Sequence, residues 1–369
     1  MITDKLLNKE HSFRTDYMPY RLTEFQKEAR RLFLEEIHYK GRYIQIDICP
    51  YCGTKDFTKI SETNRRGLPS DVVICDFCDG CFKSTILNPE GSRYLYENLS
   101  YALRGKDTSH KAMEDLFLER VNSFAYERFR FISHFIKLLP REDLIAEFGC
   151  SDGANLFPWL RKGFAVLGIE LDPKMIKFGQ EKGINLVHGD FMNYTFQKRR
   201  PGLIILSHML EHVSDVNAVL ARLHDILQPD GYLFIEVPGI KVHGLVDTLR
   251  YFDIEHNYNF DLRSITGLLR KHRFKIIYAD EYSRVLCTPN LAYEPSGASR
   301  VIVSAEKIGA LIMKSVLAGM NFKKKNLQEL LRKDSGGDPV IRIFNKAQSL
   351  YFRYYYQSIV KTEEKNAKI

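Results

Sequence analysis

The spacing of apolar residues changes several times along the chain. Over residues 1–45 it is helical: Leu22, Phe25, Ala29, Leu32, Phe33 and Ile37 fall at three- and four-residue steps and mark one apolar face. Residues 46–90 lose that period to Cys, Gly, Pro and short β-prone runs such as 72–74. Helical spacing returns over 91–140 through Leu116, Val121, Phe124, Phe129, Ile132, Phe135 and Ile136, and Pro140 closes it. Strand-like and helix-like runs then alternate. Strands are expected at 144–148, 165–171, 184–187, 203–206, 232–237, 275–279 and 300–305. Helices are expected at 155–162, after Pro173, at 216–227 and at 262–271.

Short apolar strands alternating with amphipathic helices predict an α/β fold with a doubly wound, mostly parallel sheet. The period changes divide the chain into an N-terminal helical segment (1–45), a small Cys-rich subdomain (46–90), a helical connection (91–140), the α/β domain (141–306) and a C-terminal helical extension (307–369). That extension is rich in Lys and Tyr and shows no chemistry. A helical cap, a contact within a homo-oligomer and a loose tail all fit it. There is no internal repeat.

Composition is that of a globular protein, with 44% hydrophobic and 27% charged residues in 369. No apolar run reaches about 18 residues, so no membrane span is expected. The N-terminus lacks a basic-then-apolar leader pattern, and a cytoplasmic protein is the default expectation. The net charge of +8 is scattered, with no Lys/Arg block longer than 323–325 and no nucleic-acid motif. Nucleic acid is therefore not expected, and a small-molecule partner is.

The segment Glu147-Phe-Gly149-Cys150-Ser151-Asp-Gly153-Ala-Asn155 follows an apolar strand and opens a helix. Glycine there lets the backbone turn tightly and approach a ligand. Glu170 stands 21 positions after Gly149, near the end of the second strand, with Leu171 beside it. A carboxylate at that place can accept from both ribose hydroxyls of an adenosine. Asp190, after the third strand, suits the adenine amino group, and Phe191 the purine face. The turn lacks the full Gly-x-Gly-x-x-Gly dinucleotide fingerprint. It reads literally as Gly-x-Ser-x-Gly, a hydrolase nucleophile elbow, but that reading leaves Glu170 and Asp190 unexplained.

Five of the seven cysteines lie between residues 49 and 81. Cys49-x-x-Cys52 and Cys75-x-x-Cys78 are two knuckles separated by 22 residues, the pattern of a closed, structural four-thiolate zinc site. Cys78-x-x-Cys81 has the same spacing, so Cys81 competes for a place in the set. Buried reduced cysteines and an iron–sulfur cluster are the other readings.

The Glu147–Gly153 run resembles motif I of class I S-adenosylmethionine (SAM)-dependent methyltransferases, with Ser151 in place of the middle glycine. Gly168-Ile-Glu170-Leu-Asp172 resembles their second motif and Gly189-Asp190-Phe191 their third. His208-Met-Leu-Glu211-His212-Val213 is similar to a His-x-Leu-Glu-His-Val segment of one large subgroup. The likeness runs from about 120 to 305 and implies a Rossmann-like SAM-binding domain. Glu147, Gly149, Cys150, Gly153, Glu170, Leu171, Asp190, Phe191 and His208 are then the expected cofactor contacts.

A four-cysteine zinc module ahead of such a domain resembles sugar C- and O-methyltransferases of deoxysugar and surface-polysaccharide pathways. That implies a sugar or nucleotide-linked sugar as acceptor. Glu255-His256-Asn-Tyr258 is similar to part of their Tyr-His-Glu-His motif, in which the last histidine is the proposed base. His256 matches that histidine, whereas Asp253 and Ile254 replace the first two residues. His256, His208 and Glu255 are the catalytic candidates, with His212 and His243 behind them. A methyltransferase for RNA, protein or another metabolite, and a non-catalytic SAM-fold binding module, are the competing functions.

Overall fold

A computed structural model describes residues 2–290 apart from 8–10, 17–18, 106–108, 137–138, 197–198, 242–247 and 282–283. The chain divides into two units, Met1–Ala305 and Glu306–Ile369, and all described residues belong to the first. The expected strand at 300–305, the extension at 307–369 and His243 lie outside the described residues.

The N-terminal part contains six short strands: β1 (Ile2–Asp4), β2 (Tyr43–Gln45), β3 (Phe57–Thr63), β4 (Pro69–Cys75), β5 (Cys81–Lys83) and β6 (Thr85–Leu87). The β3–β4 hairpin turns where Asn64 Oδ1 accepts from the backbone N–H of Arg66 (2.9 Å) and Leu68 (3.1 Å), with Gly67 at φ 65°. That side chain substitutes for a backbone partner, as turn asparagines do. The first helix, Glu24–Phe33, starts at a Thr23–Gln26 capping box and continues into a wider π-helical turn, Leu34–His38. Ala29, Phe33, Leu34 and Ile37 face inward. Phe25, expected on that face, is 66% exposed. The helical stretch is thus shorter than the spacing over 1–45 predicts, with strands on both sides of it.

The second sheet is built from β7 (Leu144–Phe148), β8 (Ala165–Glu170), β9 (Leu186–His188), β10 (Pro201–Ser207) and β11 (Tyr232–Glu236), joined by β13 (Phe274–Ala279) and β14 (Arg284–Pro289). Its order is β9-β8-β7-β10-β11-β14-β13, and every strand is parallel except β14. Ile145 and Ala146, Leu203–Leu206 (203–206) and 233–235 are all at most 1% exposed. Such unbroken apolar runs are what a parallel sheet covered on both faces demands.

Alternate residues of those strands feed two separate cores. Ile145, Ile205 and Phe234 pack with Phe117, Val121, Ile132 and Trp159 on one face. Ala146, Phe148, Ile204 and Leu206 pack on the other with helices Val216–Ile226 and Leu262–Lys271. Phe57, Val73 and Phe82 of the N-terminal sheet belong to this second core. The segment after β11 tightens that junction. β12 (Tyr258–Asn259) leaves the parallel sheet and pairs antiparallel with β5, Tyr258 opposite Phe82 and Asn259 opposite Cys81. The Cys-rich part and the α/β part therefore share one core and one strand pairing.

Candidate functional site

β7 delivers the chain into the turn at the carboxyl edge of the sheet. Gly149 (φ 64°), Ser151 (51°) and Gly153 (75°) all take left-handed backbone. The left-handed backbone favours glycine at Gly149, and a Cβ there would also press on Met209 Cγ at 3.0 Å. The Ser151 backbone N–H donates to Glu170 Oε2 at 2.7 Å. Glu170 Oε1 accepts from the N–H groups of Leu171 (2.7 Å) and Asp172 (3.0 Å). The two sequence features thus meet in space, with the carboxylate fastened across the mouth of the turn. Leu171 is 65% exposed beside it.

Asp190 and Glu170 end neighbouring strands, and the Gly189 N–H donates to the Glu170 carbonyl at 3.0 Å. Asp190 Oδ1 caps its own turn by accepting from Met192 N–H at 2.9 Å. Phe191 turns inward: its ring stacks on Phe148 at 4.7 Å and 7°, and the residue is buried. Cys150 is also buried, and burial pushes its thiol well above the ordinary range. It supports the turn from below as an uncharged side chain.

Glu147 is 1% exposed, and Asn155 Nδ2 donates to its Oε1 at 2.6 Å. Among the described residues its Oε2 receives no hydrogen bond. Burial raises its carboxyl to about 8, against a smaller opposing effect of Asn155, so it is largely protonated at neutral pH.

A second group of polar residues follows β10. His208 (φ 53°) opens a short turn, Leu210–His212, that buries Glu211 to 2% exposure. His208 is half exposed and lies between two carboxylates, Glu211 at 3.5 Å and Glu236 at 3.6 Å. Burial opposes its charge, but the two acids outweigh that and raise its pKa to about 9. Glu236 ends β11 and is held by Arg284 Nε at 2.7 Å and by Arg128. His212 Nδ1 donates to the Glu255 carbonyl at 2.9 Å, and His256 Nδ1 to the Tyr251 carbonyl at 3.0 Å. The two rings meet edge to face at 5.1 Å. Burial, then the neighbouring His212, lowers His256 to about 4, so it is neutral at pH 7.

Glu255 faces elsewhere. Its carboxylate accepts from Ser100 Oγ at 3.0 Å and pairs with Arg104. It anchors the segment carrying His256 to the helix Ser100–Arg104. Lys83 and Arg66 anchor it from the N-terminal sheet. Buried Lys83 donates to the Ile254 carbonyl at 2.5 Å, and Arg66 Nη1 reaches both Asp253 oxygens at 2.8 Å.

Cys49, Cys52, Cys75 and Cys78 bring their sulfurs within 4.8 Å of one another. Cys49–Cys78 is 3.6 Å and Cys52–Cys75 is 3.5 Å. Tetrahedral zinc with Zn–S bonds of about 2.3 Å separates sulfurs by roughly 3.8 Å, so the spacing fits such an ion. Cys81, the competing ligand, is not in this group; it is buried within β5. The knuckles are clasped by the α/β part: Asn217 Nδ2 donates to the Pro50 carbonyl at 3.0 Å, Lys271 Nζ to the same oxygen at 3.3 Å, and Arg263 to the Cys78 carbonyl.

Residues 124–279 match the family described as a methyltransferase domain. This segment is similar to a methyltransferase domain. Its mixed α/β sheet, parallel but for one strand, is consistent with the class I methyltransferase fold. The chain is 25% identical over 260 residues to C-methyltransferase NovU of Streptomyces niveus, a match covering 63% of this chain and 57% of that protein. The chain thus spans just over half the length of that curated relative. Among solved structures, DesVI of Streptomyces venezuelae is 16% identical, with 50% of this chain and 100% of that chain covered and a TM-score of 0.39. PH0226 of Pyrococcus horikoshii OT3 is 18% identical, with 46% and 93% covered and a TM-score of 0.37.

Two residues near the carboxyl edge of the parallel sheet were not singled out by sequence. Glu236 had a signal: it ends a buried strand at the same edge as Glu170. Arg128 had none, since a helical arginine is ordinarily solvated. Among the described residues no helix is long and apolar enough to cross a membrane.

Proposed function

We propose that the chain transfers a methyl group from SAM to a small-molecule acceptor, a sugar or nucleotide-linked sugar of surface-polysaccharide assembly. The observation that carries the reading is the union of the Gly149–Gly153 turn with the Glu170 carboxylate at the carboxyl edge of a parallel sheet. Ligands of such sheets bind at that edge. The family match supports the methyl donor, and a C-methyltransferase among its relatives is compatible with a carbon or oxygen acceptor. The sugar class rests on the resemblance of the four-cysteine module and following domain to sugar methyltransferases.

Glu170 would take the ribose hydroxyls, Asp190 the adenine amino group, and Glu147 with the glycine turn the methionine end. The sulfonium is already activated, so the chain must align the acceptor and manage its proton. His208, cationic between Glu211 and Glu236, would stabilise negative charge developing on the acceptor. His256 is neutral with Nδ1 committed to a carbonyl, which leaves its Nε2 lone pair available to a proton.

The four thiolates would hold a structural zinc ion whose closed coordination staples the N-terminal sheet. With Lys83, Arg66 and β12 on that staple, it would also fix the His256 segment. The test is transfer of isotopically labelled methyl from SAM to a panel of nucleotide-linked sugars and keto-sugars. Labelled sugar is the expected product. Label that goes only to RNA or protein would overturn the acceptor class, and label that goes nowhere while SAM fails to bind would overturn the activity.

A further inference from the structure

The carboxylate of Glu211 is among the most buried acids of the fold, and neither oxygen receives a hydrogen bond among the described residues. His208, shared with Glu236, lies 3.5 Å from it and offsets part of its charge, but a buried carboxylate without hydrogen bonds remains costly, and native structures rarely leave one so. The groups around it deepen the problem. A carbonyl oxygen can only accept, so the Nδ1 atoms of His212 and His256 carry protons. When neutral, both rings therefore present Nε2 lone pairs, and His212 Nε2 lies 3.6 Å from Glu211 Oε1. Two lone pairs and an anion gathered in one place repel one another, and His208, divided between Glu211 and Glu236, compensates only the carboxylate.

A proton on one ring would answer part of this. A divalent ion answers all of it. One atom each from Glu211, His212 and His256 lie within 4.8 Å of one another, the only such histidine-containing group among the described residues. Each ring has its other nitrogen fastened to a backbone carbonyl, which is how ligating histidines are usually oriented. Two imidazoles and a carboxylate are the donor set of catalytic zinc sites and of open non-haem iron sites, which retain free coordination positions.

We propose that Glu211, His212 and His256 bind a divalent transition-metal ion, separate from the four-thiolate site. Its open positions would face a ligand with adjacent oxygens, such as a polyol. With the ion seated, His256 would be a ligand rather than a free base, and the ion would lower the pKa of a coordinated hydroxyl, whose proton would pass to solvent. The site stands on its own geometry and does not depend on methyl transfer.

The experiment is a metal count on the full chain. Wild type, Glu211→Gln and His256→Gln are equilibrated with zinc, freed of loose metal by gel filtration and measured by elemental analysis. Each variant should carry one ion fewer than wild type. In parallel, cobalt titration of wild type should show intense thiolate-to-cobalt absorption saturating first. Weaker ligand-field bands without thiolate character should follow, and a mild chelator should remove them selectively. Equal metal in wild type and both variants, or cobalt bands of thiolate character alone, would overturn the site. The cobalt readout uses wild type only, so a variant that misfolds leaves the question answerable. Failure of SAM to bind would leave both counts unchanged, which separates this site from the proposed activity.

Discussion

Glu170 Oε2 accepts the backbone N–H of Ser151 at 2.7 Å, tying the end of β8 to the turn that follows β7. With two further N–H donors on Oε1, three of the roughly four acceptor directions of the carboxylate are occupied before any ligand arrives. The acid is thereby fixed in position by the backbone. A diol would have to share one of these directions or displace the Ser151 N–H.

Ser151 carries a side chain at φ 51°, where glycine is at ease and other residues are strained. Replacing it with glycine should leave stability within about 0.5 kcal/mol of wild type, because relief of strain offsets the greater freedom of the unfolded chain. A β-branched residue should cost about 1–2 kcal/mol or more. Urea unfolding of Ser151→Gly and Ser151→Val measures both. Equal stability of the valine variant would refute the strain.

Glu147 gives a pH-dependent term with a definite sign. Its carboxyl lies at about 8 in the fold, against 4.5 for a free glutamate carboxyl. Between those limits the unfolded chain has lost a proton that the native state keeps, so this residue makes stability fall as pH rises. The full native advantage is present below about 4.5, and the loss is complete above about 8. Glu147→Gln should therefore gain more stability over wild type at pH 8 than at pH 5. A gain independent of pH would contradict the protonated assignment.

Asp253→Asn should destabilise strongly. Arg66 is buried and makes a two-pronged pair with this acid, and removing one partner of such a pair typically costs about 3–5 kcal/mol. Because the pair joins the N-terminal sheet to the His256 segment, hydrogen exchange should quicken at residues 253–259. Exchange unchanged there, despite lost stability, would show that the pair does not position the segment.

Much of this arrangement was legible in the chain and some was not, for physical reasons. The parallel strands announced themselves as apolar runs bounded by Gly, Pro or Asp, and β7 and the helix Leu262–Lys271 begin and end where the pattern places them. β14 was missed because Arg284-Val-Leu-Cys-Thr-Pro289 is short, flanked by a charge and a proline, and stabilised by pairing with β11 and β13. The Glu170 approach to the turn was readable from spacing, since successive βα units bring strand ends to one edge. The attachment of the His256 segment to Lys83 and Arg66 was not. It depends on a pairing across more than 170 residues that no local period records. Phe191, expected against a purine, is buried and stacked on Phe148, a contact that no local period records.

The two thiol readings left open by spacing make different predictions. Cys81 lies outside the four-sulfur group, so Cys81→Ser should retain zinc resistant to a mild chelator. Cys52→Ser and Cys78→Ser should lose it, and with it folding stability. Elemental analysis after chelation decides the matter, and retention by Cys78→Ser with loss by Cys81→Ser would reverse the ligand set.

The most direct test is calorimetric titration of the full chain with SAM, in wild type and Glu170→Ala, with thermal unfolding as the control for folding. Saturable binding by wild type is expected, with a loss of about 1–3 kcal/mol in the folded variant, the usual worth of a charged hydrogen-bond acceptor. Equal affinity in the two proteins would contradict the account.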